Sequence, residues 1–440
     1  MKKIQPRIYK GTRDFLPEQM VKREYVINII KQVFQKYGFE PLETPTIELF
    51  ETLSGKYGEE GDRLTYRFID RGKREVGLRY DLTVPLSRVI AMYPQLPKPF
   101  KRYQIQPVWR ADKPQKGRFR EFYQCDVDVV GSPSMLADAE VVGVIYESLH
   151  KLKFSKFVIR LNSRKILSGI TEISGAGSEQ EVNVARAIDK MDKIGLEGVK
   201  NELLDRGIPN TGVEKILNIL NISGTNEERL QKTGELLRDS EAGLQGIQEI
   251  RDLLHYLNLY NIPQEFLLFD LYLARGLDYY TGPIFETVVE EPRIGSITGG
   301  GRYDKLIGMF SGREEPATGS SIGLERIITV MDELNMFPEH LQTPVQVLIT
   351  VFEKDSLSYS IKLANTLRQA GINTDLYTGT SKLRGQFGLA NDKGIPLVLI
   401  AGPDEIGQNM VNIKDMRSGD QKAVKNDQLV SAVRELLEIQ

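Results

Sequence analysis

Residues 165–262 contain only two aromatic residues, Tyr256 and Tyr260, and are dense in Leu, Ile, Glu and Lys at helical spacing. Strand-like text stands on both sides of them. The stretches TYRFID, EVGLRYDLT, RYQIQPVWR and FYQCDVDVVG precede the segment, and EFLLFDLYLARGLDYYTGPIFETVVEE and SITGGGRYDKLIGMF follow it. A helical segment that interrupts strand-rich sequence reads as an insertion into one domain. The chain is therefore expected to be an α+β multidomain protein whose main sheet is antiparallel, with hairpins such as the one turning at Asp70-Arg71-Gly72. At 440 residues, about three times a typical domain of roughly 150, two or three domains are expected.

The flanks have their own patterns. Apolar residues at Val21, Tyr25, Val26, Ile29, Ile30, Val33 and Phe34 predict an amphipathic helix from Pro17 to Tyr37, stopped by Gly38. Pro41 and Pro45 then predict an extended edge strand before a second short helix. From Val345 onward VQVLITVF, NTDLYT and PLVLIAG alternate with helices near Ser358–Gln369 and Lys382–Lys393. This βαβαβ text implies a separate small domain with a parallel-type sheet. The expected divisions are 1–164 and 263–338 for the two parts of the main domain, 165–262 for the helical insertion and 339–440 for the last domain.

Composition excludes several chemistries. Fifty-eight Lys and Arg nearly cancel sixty Asp and Glu, so any polyanion must be met by a local patch and not by net charge. The single cysteine, Cys125, rules out an intramolecular disulfide and points to a reducing compartment, with the cytoplasm as the expected location. His150, His255 and His340 lie far apart in sequence, which argues against a zinc centre or a local Cys-His nucleophile; no metal site is expected. No run approaches the roughly 18 apolar residues of a membrane span, and no membrane partner is expected.

Three local clusters remain. Residues 101–124 carry Lys101, Arg102, Arg110, Lys113, Lys116, Arg118 and Arg120 against only Asp112 and Glu121. A basic hairpin of this kind suits a polyphosphate, with Phe119 and Phe122 as faces for a base. A solvated hairpin is the plainer alternative. The tract LARGLDYYTGPIFETV holds Arg275, Asp278, Tyr279 and Tyr280 beside glycines, or else a core tyrosine and a structural ion pair. In RYDLT, Asp81 and Thr83 are expected on one strand face, and so are Gln124 and Asp128 in FYQCDVD. Acids beside arginines suit an amino acid substrate. Neither a Walker loop nor a dinucleotide fingerprint is present; the triple glycine at 299–301 reads as a tight turn or close backbone packing.

Taken in order, GTRDFLP, the proline-bearing strand at Pro45 (motif 1), the basic hairpin (motif 2), RGLDYYTG with TGGGRYDKL, and GSSIGLERI at 319–327 (motif 3) resemble the histidyl-tRNA synthetase family of class II aminoacyl-tRNA synthetases. The resemblance spans nearly the whole chain. It implies a catalytic domain on a six- or seven-stranded antiparallel sheet, a helical insertion, an α/β anticodon-binding domain and a homodimer. It also implies ATP as its Mg2+ complex, L-histidine and tRNA(His) as ligands.

Carried onto this sequence, the resemblance makes Arg110 and Arg275 the catalytic pair at the α-phosphate, close to the histidine carboxylate. Arg118 and Arg326 would hold the outer phosphates, and Phe122 would stack on adenine. Asp81, Thr83 and Gln124 would hold the histidine ammonium, while Asp128, Tyr280 and nearby Tyr279 would meet the imidazole. Asp81, Asp112 and Asp128 stand where many family members carry glutamate. A non-catalytic relative, the regulatory subunit of ATP phosphoribosyltransferase, is a rival reading, as is a class II synthetase for another amino acid. The retained arginines, the last domain and RGLDYYTG weigh against them.

Overall fold

The computed structural model describes residues 4–115, 117–274, 279–338 and 341–438. It divides into two compact units, Met1–Arg13 with Val26–Asn335, and Asp14–Tyr25 with Met336–Gln440. The first predicted helix runs Pro17–Lys36.

In the first unit, β1 (Glu40–Pro41) is followed by a three-stranded antiparallel sheet of β2 (Ile47–Leu49), β3 (Arg67–Ile69) and β4 (Glu75–Leu78). The long hairpin strands β5 (Phe100–Trp109) and β6 (Glu121–Val130) come next, then β7 (Phe157–Ser163), β8 (Leu267–Phe269), β9 (Pro283–Val289), β10 (Thr298–Arg302) and β11 (Ala317–Gly323). The main sheet has eight strands in the order β1-β5-β6-β11-β10-β9-β7-β8. Its six inner strands pair antiparallel. The two outermost, β1 and β8, pair parallel to their neighbours. The strand β1 carries Pro41 at the edge, where a missing N–H costs no ladder bond.

Six α-helices between Arg164 and Leu259 join β7 to β8 and lie within the first unit. Local signals start them: Ser163 accepts from Lys165 N, Ser240 caps Gly243 N, and Thr225 with Glu228 forms a capping box. The helix Glu241–Leu259 packs on Arg164–Ile173, on Met135–Lys151 and on β7, so its buried Ile247, Ile250, Leu253 and Leu257 join the insertion to the sheet.

The triple glycine is neither turn nor nucleotide loop. Gly299, Gly300 and Gly301 lie within β10 at the middle of the sheet. A Cβ on Gly300 would stand 2.3 Å from the Gly319 carbonyl oxygen and 2.5 Å from the Phe285 ring. We expect Gly300→Ala to destabilise the chain by about 2–3 kcal/mol through overpacking. A urea midpoint equal to that of the unaltered chain would contradict this.

The second unit contains a sheet of β12 (Val347–Ile349), β13 (Thr374–Leu376), β14 (Leu397–Ile400), β15 (Met410–Asp415) and β16 (Gln421–Lys425), in the order β13-β12-β14-β15-β16. The first three are parallel, as the βαβαβ text predicts. The last two add an antiparallel hairpin that the sequence reading did not include. Val347, Ile349, Leu397 and Leu399 meet Leu363 and Leu367 of the helix Leu357–Gln369 in its core.

Candidate active site

Strand alternation builds the floor of the site. On β6 the residues Cys125, Val127 and Val129 point one way into apolar core, while Gln124, Asp126 and Asp128 share the other face. In register with them on β5 stand Gln106, Gln104 and Arg102. The expected pairing of Gln124 and Asp128 on one face therefore holds, and Asp126 lies between them.

Arg102 corrects the charge reading of the basic hairpin. It is fully buried, its Nη2 lies 2.8 Å from Asp128 Oδ2, and it also donates to the Leu82 carbonyl and to Gln104. Lys101 is engaged with Glu140 at 2.7 Å. Neither belongs to a phosphate patch. Both sit on β5 and pair with carboxylates packed against it, so their charges are absorbed by internal partners. Lys116 lies outside the described residues.

Asp81 and Thr83 also depart from expectation. The strand β4 ends at Leu78, and Thr83 opens the helix Thr83–Met92. Asp81 Oδ1 accepts from Val84 N at 3.0 Å, so the carboxylate acts as a helix-start acceptor and not as a strand-face residue. The Tyr57 hydroxyl donates to the same oxygen at 3.0 Å, and the Tyr279 hydroxyl reaches Oδ2 at 3.4 Å.

These elements enclose a cavity of about 480 Å³. Asp81, Thr83, Arg110, Arg118, Phe122, Gln124, Asp128, Tyr279, Tyr280 and Arg326 all line it. Arg275, with Asp278, lies outside the described residues; Leu273 and Tyr279 on either side of that stretch line the cavity.

Arg110 is held where β5 runs out. Its Nε donates to the Tyr80 carbonyl at 3.2 Å, and its guanidinium lies 4.3 Å from the Tyr80 ring centre and 5.1 Å from that of Phe122. Arg118 Nε sits 2.9 Å from Asp112 Oδ2, which gives Asp112 a place beside an arginine. Arg326, in the first turn of the helix Leu324–Glu333, donates to the Ser296 carbonyl. Phe119 is covered by the Arg13 guanidinium, 3.3 Å from its ring centre.

Sequence reasoning assigned no role to Tyr57, Tyr303 or Asp126. Tyr303 is buried and donates its hydroxyl to Asp128 Oδ1. It stands in the quoted GGGRYDKL tract, so the motif was visible although the role was not. Gly319 faces Asp128 across β11, and a Cβ there would lie 2.0 Å from Oδ1. The glycine thus leaves room for the carboxyl.

Burial is the main electrostatic influence here. It raises the pKa of Asp81, against the opposing pull of the Val84 N–H and Arg110. It raises Asp128, against Arg102 and the Tyr303 hydroxyl. Asp126 is pushed up to about 7 by burial and by the neighbouring charges of Asp128 and Asp81, with Arg102 and the nearby Ser321 hydroxyl opposing. Burial and the nearby carboxylates keep the phenols of Tyr57, Tyr279, Tyr280 and Tyr303 protonated.

Asp126 carries a consequence for stability. Its folded pKa lies above the unfolded value of about 4, so the native state binds more protons between those limits and loses stability as pH rises from about 4 to about 7. Asn has no charge to desolvate. We expect Asp126→Asn to raise the thermal midpoint at pH 8 and to change it little at pH 4.5. Equal shifts at both pH values would contradict this.

Residues 11–327 match the family described as histidyl-tRNA synthetase, and residues 346–436 match the anticodon binding domain. Proteins named histidine–tRNA ligase from Phocaeicola vulgatus and Aeropyrum pernix are each 43% identical, over 98% of this chain and 99% and 98% of theirs. The crystal structure of a Nostoc histidyl-tRNA synthetase is similar with a TM-score of 0.89 and 33% identity, over 98% of this chain and 100% of that one. A Bacillus halodurans chain described as an ATP phosphoribosyltransferase regulatory subunit/histidyl-tRNA synthetase shares the fold, at TM-score 0.75 and 21% identity over 88% of this chain and 97% of its own. With a family match across most of its length and relatives of this identity aligned nearly end to end, the chain belongs to the histidyl-tRNA synthetase family.

Proposed function

We propose that this chain is an aminoacyl-tRNA synthetase that activates L-histidine with ATP and transfers the histidyl group to the 3′ end of tRNA(His), releasing AMP and pyrophosphate. The observation that carries the reading is the single cavity whose walls hold Arg110, Arg118 and Arg326 together with the buried carboxylates Asp81 and Asp128. A substrate with an ammonium, a carboxylate and a polyphosphate needs that combination.

In the first step a histidine carboxylate oxygen attacks the α-phosphorus in line. The new P–O bond forms as the bond to the bridging oxygen breaks, and pyrophosphate leaves. In the second, the terminal ribose hydroxyl of the tRNA attacks the carbonyl carbon, loses its proton and displaces AMP. The protein supplies position and charge: Arg110 and Arg275 at the α-phosphate, Arg118 and Arg326 at the outer phosphates, Phe122 against adenine. Asp81, Thr83 and Gln124 take the ammonium. Asp128 and Tyr280, with Tyr279, take the imidazole, and an analogue without the ring nitrogens would leave their polar groups unpaired. ATP enters as its Mg2+ complex.

Residues 339–440 are the proposed anticodon-binding domain. From Val345 onward they carry eleven Lys and Arg against eleven Asp and Glu, so tRNA phosphates would be met by one face and binding would weaken with salt. A homodimer and a cytoplasmic location complete the reading. Ile47, Leu49, Phe68 and Ile69 of the three-stranded sheet are apolar and exposed, a surface that a second copy would cover. Among the described residues no helix is long and apolar enough to cross a membrane.

The test is charging of tRNA(His) with labelled histidine by the purified chain, with Arg275→Ala beside it. Arg275→Ala is expected to lower activity far more than tenfold; activity within about tenfold, roughly 1.4 kcal/mol of barrier, would remove Arg275 from its role.

A further inference from the structure

We propose that Arg102 decides which form of histidine the cavity accepts: by cancelling the Asp128 carboxylate from beneath the cavity wall, it makes the pocket take the neutral imidazole ring and refuse imidazolium. The proposal rests on the reading of Asp128 as a contact to the imidazole. It makes Arg102 a positioning residue, because the guanidinium acts through Asp128 and does not itself line the cavity.

The antiparallel register of β5 and β6 sets Arg102 directly opposite Asp128. Arg102 is fully buried, and its Nη2 lies 2.8 Å from Asp128 Oδ2. Its direction is fixed from the far side: Nη2 donates to the Leu82 carbonyl at 3.1 Å and Nη1 donates to Gln104 Oε1 at 3.2 Å. The Gln104 amide donates in turn to Thr44 Oγ1 at 2.9 Å. Tyr303 donates its hydroxyl to Asp128 Oδ1. Oδ2 accepts no hydrogen bond from any described residue, in a side chain that lines the cavity. That oxygen is an acceptor open to a ring N–H, with its charge already met by a guanidinium.

A lone carboxylate in a buried pocket would favour a cation, either imidazolium or the charged end of another basic side chain. Paired with Arg102 it is neutral as a unit, and burial then penalises a charged ring. The other groups that face Asp128 do not restore the negative charge. Tyr280 and Tyr303 keep their phenolic protons, through burial first and the nearby acids second. Gly319 brings no charge from β11. Asp126, on the same face of β6, is pushed up to about 7, chiefly by burial, and is mainly protonated at about pH 6. Asp81, at the helix start, is assigned to the substrate ammonium, and Arg110 to the substrate carboxylate. Each charge of bound histidine outside the ring has its counterpart, and none remains for a second ring proton.

Nitrogen NMR of L-histidine isotopically labelled at the ring nitrogens and bound to the full chain tests this. A neutral ring shows a pyrrole-type and a pyridine-type nitrogen far apart in shift, whereas imidazolium shows a pair nearly alike. The free ring, with a pKa of about 6.5, is mainly protonated at about pH 6; the bound ring is expected to be neutral there and to titrate at least about one pH unit lower. Arg102→Met is expected to raise the bound-ring titration by at least about one pH unit, tenfold in proton affinity, and Arg102→Lys, which keeps a charge, to leave it within about half a unit. Imidazolium bound to the unaltered chain at that pH would overturn the proposal, and this arm needs no variant to fold. An unchanged titration in Arg102→Met would overturn it too, as would an equal shift in Arg102→Lys, which would mean distortion of the pocket and not loss of charge. An unaltered chain that binds no histidine at all would overturn the functional reading itself.

Discussion

Arg110→Ala is expected to lower histidine-dependent pyrophosphate exchange by about a thousandfold or more, about 4 kcal/mol of transition-state stabilisation. The guanidinium is held by the Tyr80 carbonyl and lies over the Tyr80 and Phe122 rings, so its direction is set before substrate arrives. A preorganised cation acts most strongly where negative charge spreads over a phosphoryl group, because no solvent has to reorganise. Its neighbours hold one another independently: Asp81 keeps Tyr57 and the Val84 N–H. The variant should therefore fold, with an unaltered urea midpoint and a collapsed kcat. Exchange within tenfold of the unaltered chain would remove Arg110 from the chemistry.

Asp128→Ala is expected to damage both stability and histidine recognition. Removing the carboxyl leaves Arg102, fully buried, without the carboxylate it is ion-paired with, and leaves the Tyr303 hydroxyl without its acceptor. An uncompensated buried charge of this kind costs about 3–5 kcal/mol. The isosteric Asp128→Asn separates the two effects. It should fold with a smaller loss, keep ATP binding, and weaken histidine binding at least tenfold, because the amide cannot supply the charge that an imidazole N–H or the Arg102 network meets. Urea denaturation reads the first effect and calorimetry the second. Unchanged denaturation of Asp128→Ala together with unchanged histidine affinity of Asp128→Asn would contradict the account.

Much of this site was legible because its residues lie in contiguous tracts. FYQCDVD displays its two faces by simple alternation, and Gln124 and Asp128 fall on the same side in the structure as they do on paper. The sign of a residue's exposure was harder to read. Arg102 has the same local company as Arg110, yet one is sealed in a sheet and the other lines a cavity, a difference made by the Asp128 carboxylate across the hairpin and by the helix start near Leu82. Asp81 was placed on a strand because RYDLT alternates. The apolar run from Val84 to Ile90 and the Asp81 carboxyl capping Val84 N make it a helix entrance instead.

Partners across long separations were also hidden. Tyr303 and Asp128 are 175 residues apart, and no spacing rule links them. The triple glycine could be read as crowded backbone, but its place beside Gly319 at the middle of the sheet needed the strand order. In the second unit β16 has the sequence QKAVK, with Val424 its one buried residue. A polar strand at a sheet edge gives no hydrophobic period to find.

The most direct measurement is pyrophosphate exchange by the purified full-length chain with MgATP and each of the twenty standard amino acids in turn. The account predicts exchange with L-histidine alone, at least a hundredfold above every other amino acid. Exchange driven equally by a different amino acid, or by none, would contradict it.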